Sequence, residues 1–359
     1  MYILKANCIP VKGYKRSILY NLQNNTYDYI PNSLCELFEN CRTTNEWYTY
    51  IIDNEKEIID EYIEFLLAND YLLDTKKLDI NCFTSISFAW EECKEVSILN
   101  LNYEEEISKY LHNLNVFLVK SRTKNISLQY IGGLKTLNNL LGTVKDTYVT
   151  NIVLYLQYKQ FKGCLFEKLI SSNPLISKIV LLGADRFSIK YIDTGKQIPI
   201  QKIESILINS EIKPMGFVIN KMYFIEAHLY NTFFHKRLFV SKKGIISLTP
   251  LSDRIADISK DPAKEIINRK SIQKYWLIKK DSIETCKECE HRYMCYDSRI
   301  PTQENNKWYY MSDCGYNPYI NKWVDEDGYW PVNNTSPCIK YQNLQLNQPE
   351  NRSPFRQII

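Results

Sequence analysis

The sequence predicts a mixed α/β protein in three parts. These are an N-terminal winged-helix unit over residues 1–80, a partial parallel α/β barrel over 81–235, and a metal-stapled C-terminal segment over 236–359. Three observations carry this. Short strand-like runs precede two helical stretches at the start. Apolar strands alternate with helical stretches in the middle. Near the end, Cys286, Cys289, Cys295 and Cys314 crowd into a segment too polar to bury a core of its own.

In the first part, Tyr2–Pro10, Ser17–Asn21 and Thr26–Ile30 are rich in β-branched and aromatic residues. Lys12-Gly13 and Asn24-Asn25 mark the turns between them. Ile30-Pro31-Asn32-Ser33 reads as a helix start, with Leu34, Leu37 and Phe38 on one face. A second helix fits Glu55–Asn69, where Ile58, Ile59, Tyr62, Ile63, Leu66 and Leu67 fall at helical spacing. Asn69–Leu73 reads as a return strand, which completes a winged-helix arrangement.

In the second part, Ile126–Ile131, Asn151–Tyr158, Lys178–Gly183 and Gly216–Ile219 read as strands. Runs such as Ile179-Val180-Leu181-Leu182 suggest burial on both faces. Leu134–Leu141, Phe161–Ile170 and Ile200–Ile208 read as helical. Gly132-Gly133 lacks the third glycine of a phosphate-binding turn, so an open or partial barrel fits better than a doubly wound fold. In the third part, Arg237–Val240 and Ile245–Leu248 form a hairpin around Lys243-Gly244. Asp261–Trp276 reads as one helix, with Asp257 and Asp261 as capping groups. The tail beyond Cys338 is rich in Asn, Gln and Pro.

Forty-five basic against 41 acidic residues leave a net charge of +4. That balance disfavours nucleic-acid binding through bulk electrostatics. The helix at Glu55–Asn69 carries Glu55, Glu57, Asp60, Glu61 and Glu64 against Lys56, a poor reader of a DNA groove. No apolar run is long enough to span a bilayer, and the first ten residues lack a signal-peptide pattern. A cytoplasmic location without membrane or nucleic-acid partners is expected.

Of eleven cysteines, Cys8, Cys35, Cys41, Cys82, Cys93 and Cys164 lack ligand spacing and read as buried thiols. The late cluster has the spacing C-x2-C-x5-C, then Cys314 after an 18-residue gap. Two thiolates separated by two residues can grip one centre from a single turn of backbone, and four complete a zinc tetrahedron or one [4Fe–4S] cube. All-sulfur ligation leaves both metals open. Cys338 reads as a free thiol. Histidine is sparse: His112, His228, His235 and His291 read as satisfied imidazoles, and no partner motif supports acid–base chemistry at Glu226-Ala227-His228.

The run Tyr275-Trp276, Asp281, Cys286-x2-Cys289-Glu290-x-Arg292-Tyr293-x-Cys295-x-Asp297-x-Arg299, then Cys314-Gly315-Tyr316-Asn317-Pro318-Tyr319 and Trp323, resembles the SPASM domain. That domain is the C-terminal extension of radical SAM peptide-modifying enzymes, and the similarity is greatest to the grasp-with-spasm peptide maturases. The catalytic C-x3-C-x2-C of radical SAM enzymes is missing, so no S-adenosylmethionine cofactor is expected. At places matching a first auxiliary cluster stand Thr249 after Gly244, and Ser298, with His235 where a cysteine might be. The second auxiliary set remains: Cys286, Cys289, Cys295 and Cys314. The N-terminal unit resembles the RiPP recognition element, which binds precursor leaders by strand addition. Here the strand near Tyr27–Ile30 and the helix at Glu55–Asn69 would form that surface. The resemblance implies a non-catalytic or degenerate maturase component that binds a ribosomally made precursor peptide and presents it to an ATP-grasp ligase. The alternatives are a redox enzyme using one [4Fe–4S] cluster on a peptide, and a zinc-stabilised nucleic-acid-binding protein.

Overall fold

The computed structural model describes residues 1–50, 56–76, 79, 82, 84–90, 95–104, 110–161, 166–184, 186–193, 197–203, 216–250 and 252–332. The chain forms two compact units. One comprises Met1–Trp90, Ser210–Thr232 and Ile278–Ile359, and the other Glu91–Asn209 and Phe233–Leu277. The N-terminal segment and the cysteine-bearing segment therefore share a unit.

The first unit opens with β1 (Tyr2–Leu4), β2 (Cys8–Lys12), β3 (Ser17–Asn21) and β4 (Thr26–Ile30). The expected single strand Tyr2–Pro10 is two strands. The chain turns between them, with the Cys8 N–H donating to the Lys5 carbonyl at 2.8 Å. β2, β3 and β4 make an antiparallel meander. Asn25 takes the left-handed conformation (φ 58°) that the β3–β4 turn requires. Helices α1 (Asn32–Asn40), α2 (Thr44–Tyr50) and α3 (Lys56–Ala68) follow, then β5 (Leu72–Asp74). The return strand is β5, but it pairs antiparallel with β1 and not with the meander. α2 is additional to the expected elements.

β3 is buried along its whole length because both faces of the meander are covered. Leu19 on one side joins Leu34, Trp47, Ile59, Tyr62 and Leu66. Ile18 and Tyr20 on the other join Phe224, Tyr293 and Met294. Of the scattered cysteines, Cys8, Cys35 and Cys41 are buried as expected, whereas Cys82 is exposed. Cys93, Cys164 and Cys338 lie outside the described residues.

The second unit holds a nine-stranded, mostly parallel sheet. Its first elements are β6 (Ile98–Glu104), α4 (Leu111–Ser121), β7 (Asn125–Ile131), α5 (Leu134–Lys145) and β8 (Asn151–Gln157). Next come α6 (Tyr158–Phe161), α7 (Phe166–Ser172), β9 (Ile176–Leu182), β10 (Ser188–Asp193) and β11 (Gln197–Ile203). β6 to β9 pair in sequence order, all parallel. Parallel strands that neighbour in sequence order are as a rule joined by right-handed crossovers, which put successive helices on one face. The strands are accordingly not buried on both faces. Leu99, Leu101, Ile126, Leu128, Ile152 and Leu154 are buried, while Asn100, Asn102, Ser127, Gln129 and Tyr155 on the opposite face are only half-buried. β9 alone among these has a continuous buried run, Ile179–Leu182.

The expected helix at Ile200–Ile208 is corrected. Residues up to Ile203 form β11, where Ile198 and Ile200 recur at strand period and Ile200 pairs with Ile179 of β9. Residues 204–208 lie outside the described set. Gly216–Ile219 forms no strand. α8 (Lys221–Leu229), in the first unit, follows it, capped by the Asn220 side chain accepting the Tyr223 N–H at 2.8 Å.

β12 (Arg237–Val240), β13 (Ile245–Ser247) and β14 (Ala256–Asp257) return to the second unit. The expected hairpin forms, with Gly244 at φ 76°. β12 also pairs parallel with β6, so this hairpin extends the large sheet. The strand order is β10-β11-β9-β8-β7-β6-β12-β13-β14, an open sheet. The expected helix Asp261–Trp276 is two, α9 (Ala263–Ile267) and α10 (Lys270–Leu277). Asp257 and Asp261 do not cap α9. Asp261 accepts the Asp257 N–H at 2.7 Å, and Asp257 accepts from Ser259.

The chain ends its described course in the first unit with β15 (Thr302–Glu304), β16 (Lys307–Tyr309), β17 (Tyr316–Asn317) and β18 (Lys322–Trp323). The β15–β16 turn has Asn305 and Asn306 both left-handed, the backbone of a type I′ hairpin. Among the described residues, no helix is long and apolar enough to cross a membrane.

Candidate metal centre

Backbone geometry aims the four cysteines inward. Thr285 sits at φ 67°, ψ −49°, and the Cys286 N–H donates to the Glu284 carbonyl at 2.8 Å. This is a γ-turn of the rare, strained kind, here on a β-branched residue. It swings Cys286 into a 3-10 turn, Cys286–Glu288, which Cys289 closes. The Cys295 N–H donates to the His291 carbonyl at 3.0 Å, the next turn of the same loop. Cys314 precedes Gly315 (φ 78°), and its sulfur accepts the Tyr316 N–H at 3.4 Å.

All four cysteines line one small pocket of about 30 Å³, with Lys280, His291, Arg292, Asp297, Arg299, Tyr316 and Trp323. No disulfide joins them. Four sulfurs facing one pocket could serve either a zinc ion or a [4Fe–4S] cube, since all-sulfur ligation admits both.

Burial pushes the Cys286 thiol up to about 11 and the Cys295 thiol up to about 12, with Lys280 pulling both back. Burial also raises Cys289, and Glu290 and the other three cysteines add to the effect. The protein alone thus keeps these sulfurs protonated at neutral pH, and a bound cation is what would release their protons.

Among the described residues, Cys289, Glu290 and His291 offer ligand atoms within 4.8 Å of one another. Glu290 is fully buried, and its Oε1 is already held by the Arg16 Nε at 2.8 Å and by the Tyr316 hydroxyl. The Nε2 of His291 lies 2.9 Å from the Tyr29 hydroxyl, and its Nδ1 lies 3.8 Å from the Cys289 sulfur. Burial lowers the His291 pKa to about 4, so the ring is neutral at pH 7. These three residues are consecutive; the Glu290 Oε1 and both His291 nitrogens have protein partners, while the Glu290 Oε2 is buried without a hydrogen-bond partner. They brace the cysteine loop.

The brace comes from the other end of the chain. Gly13, in the β2–β3 turn, lies so close that an added Cβ would stand 2.9 Å from the Glu290 Cβ and 2.5 Å from the Arg16 carbonyl oxygen. The Tyr14 N–H donates to the Glu288 carbonyl at 2.8 Å, and the Arg292 Nη1 donates to the Lys12 carbonyl at 2.7 Å. The Arg16 guanidinium lies over the Tyr29 ring at 3.5 Å.

Sequence reasoning singled out the cysteines but missed Gly13, Arg16, Tyr29 and Lys280. The three N-terminal residues carry no motif. Only the buried acid in Cys289-Glu290 hinted that a distant cation was needed. The weaker candidates fall apart. His228 stacks on Tyr293 at 3.6 Å, in the first unit, and His235 meets Trp276 edge-on in the second. Gly132-Gly133 is a turn opening α5, with the Tyr130 hydroxyl donating to the Gly133 carbonyl.

In the proposed leader-binding region, β4 has β3 as its one strand neighbour among the described residues. α3 exposes Glu57, Asp60, Glu61 and Glu64. A larger open groove, about 370 Å³, lies on the β1–β2 side, lined by Tyr2, Leu4, Ile9, Phe38, Trp47 and Phe88 among others.

The fold and cavity define a mixed α/β protein with a large, mostly parallel sheet and a pocket of four converging thiols. Comparison of the chain with protein-family models finds no match, and comparison with curated proteins finds none either.

Proposed function

We propose that this protein acts in the maturation of a ribosomally synthesised peptide. It binds the precursor's leader through its N-terminal segment and presents the peptide to a partner ATP-grasp ligase. Cys286, Cys289, Cys295 and Cys314 hold one metal centre, a [4Fe–4S] cluster in preference to zinc. The likeness of this C-x2-C-x5-C run and its later cysteine to the second SPASM auxiliary set supports the cube. The cluster would supply a rigid staple and one-electron exchange. With all four ligands present, no iron is left open, which favours the staple.

The observation that carries the recruitment role is the brace between β2–β3 and the cysteine loop. The N-terminal segment, with β4 at the edge of its meander among the described residues, is tied to the cysteine loop in one compact unit. Whatever the segment binds is held at a fixed place beside that loop.

Two measurements test this. Anaerobically purified protein is expected to contain about four irons per chain by the cube's stoichiometry, and Cys295→Ser to lose them. Zinc alone in the wild type removes the cluster. For the peptide, a small precursor gene and an ATP-grasp gene should neighbour this one. Hydrogen exchange on the full chain with that precursor should show protection at Thr26–Ile30 and in α3. Unchanged exchange throughout residues 1–76 sinks the recruitment role.

A further inference from the structure

The most costly group around the cavity is not a cysteine. Lys280 is 6% exposed, and its Nζ donates to the Asp297 Oδ2 at 2.6 Å. Arg299 holds the same carboxylate twice, through Nε to Oδ1 at 3.0 Å and Nη2 to Oδ2 at 2.8 Å. Both cations also lie near the Tyr310 ring, at 4.9 Å and 4.2 Å from its centroid. Arg299 alone would satisfy Asp297. Two cations against one carboxylate leave a buried charge of net +1, and burying an uncompensated cation costs several kcal/mol.

The surplus has one evident destination. Lys280, Arg299 and Asp297 line the same cavity as the four thiols. The Asp297 carboxylate against its Nζ favours the charged form of Lys280 despite burial. Four thiolates around zinc, or around an oxidised cube, form a dianion, which a net positive wall stabilises.

We infer that Lys280 is the counter-charge of the four-thiolate centre, retaining the bound metal group electrostatically without ligating it. This rests on the metal-centre assignment above but not on which metal is held. Asp297 and Arg299 position the ammonium, and the net charge of the three sets how firmly the dianion is kept.

The test uses the full chain, loaded with the metal it purifies with, and follows metal loss to a chelator. Lys280→Met, which brings the local charge to zero, should release metal about tenfold faster. Lys280→Arg should match the wild type. The double variant Lys280→Met/Asp297→Asn restores net +1 and should recover most of the retention, which a packing role would not produce. If the centre is iron–sulfur, the ratio of reduced to oxidised cluster at a fixed potential should also fall about tenfold in Lys280→Met, 59 mV for a one-electron couple. Equal release from wild type and Lys280→Met overturns the inference whichever metal is present, as does a double variant no better than the single one. Wild-type metal content judges the metal-centre assignment separately. A wild type that holds neither iron–sulfur nor zinc removes both.

Discussion

At the scale of single residues, the cysteine loop is held by contacts that its own sequence does not announce. Gly13 is the tightest of them. An alanine there would place its Cβ against the Arg16 carbonyl oxygen and the Glu290 backbone. Neither is the far end of a flexible side chain, so the hairpin must shift. Gly13→Ala should destabilise the first unit by about 1–3 kcal/mol, read as a lower urea midpoint at unchanged slope. A midpoint equal to wild type would mean that the turn is not pressed against the loop. The four cysteines were legible because ligand spacing is local. Arg16 was not, because its partner Glu290 is 274 residues away. The strained backbone at Thr285 was equally hidden, since β-branched residues are poor candidates for positive φ.

At the scale of elements, the meander, α1, α3 and β7 to β9 could be read in advance, because each repeats its apolar residues at one clear period, whereas β6 and α4 were missed. The errors came where two periods competed. Gln197–Ile203 has isoleucines at both strand and helix spacing, and pairing with β9 decided for strand. The α9–α10 break was missed because the apolar positions continue through Asn268-Arg269. Near the sheet's β14 end, Asp257 has the sequence position of a helix cap but is the centre of a turn. Burial pushes its carboxyl up, but the Ser259 hydroxyl and N–H and the Arg254 guanidinium more than offset this, so its pKa is lowered. A lowered carboxyl binds fewer protons folded than unfolded. Its stabilisation is complete above the unfolded value, about 3.9, and is lost as pH falls through the folded one. Asp257→Asn should therefore cost about 1 kcal/mol at neutral pH and flatten the acid limb of the stability curve. An acid limb as steep as wild type would assign the dependence to other groups.

At the scale of the whole molecule, the proposed metal centre belongs to one unit only, so its loss should reach the two units unequally. The cysteine loop, the β2–β3 turn and β4 belong to one unit, while the large sheet has its own core of leucine, isoleucine and valine. Stripping the metal from the full chain should raise hydrogen exchange across residues 8–30 and 283–317 and leave β6–β9 protected. Loss of protection in the sheet, or none in the first unit, would show that the metal does not support this unit selectively. Shared membership of the first unit was the least legible feature of the sequence, since nothing local marks two distant segments as partners.

That partnership also sets a timetable. The β2–β3 turn leaves the ribosome early, and the loop it braces is made some 274 residues later. At about 5–20 residues per second, the gap is roughly 14 to 55 s. Throughout it, the Tyr20 and Tyr29 side of the meander lacks the Tyr293 and His291 surfaces that finally cover it. The second unit can close its sheet meanwhile, but the first must wait for the end of its own synthesis. In the cell, the newborn protein thus passes through a period with a half-built unit, in which a chaperone or a passing peptide meets the bare meander before its own cysteine loop does.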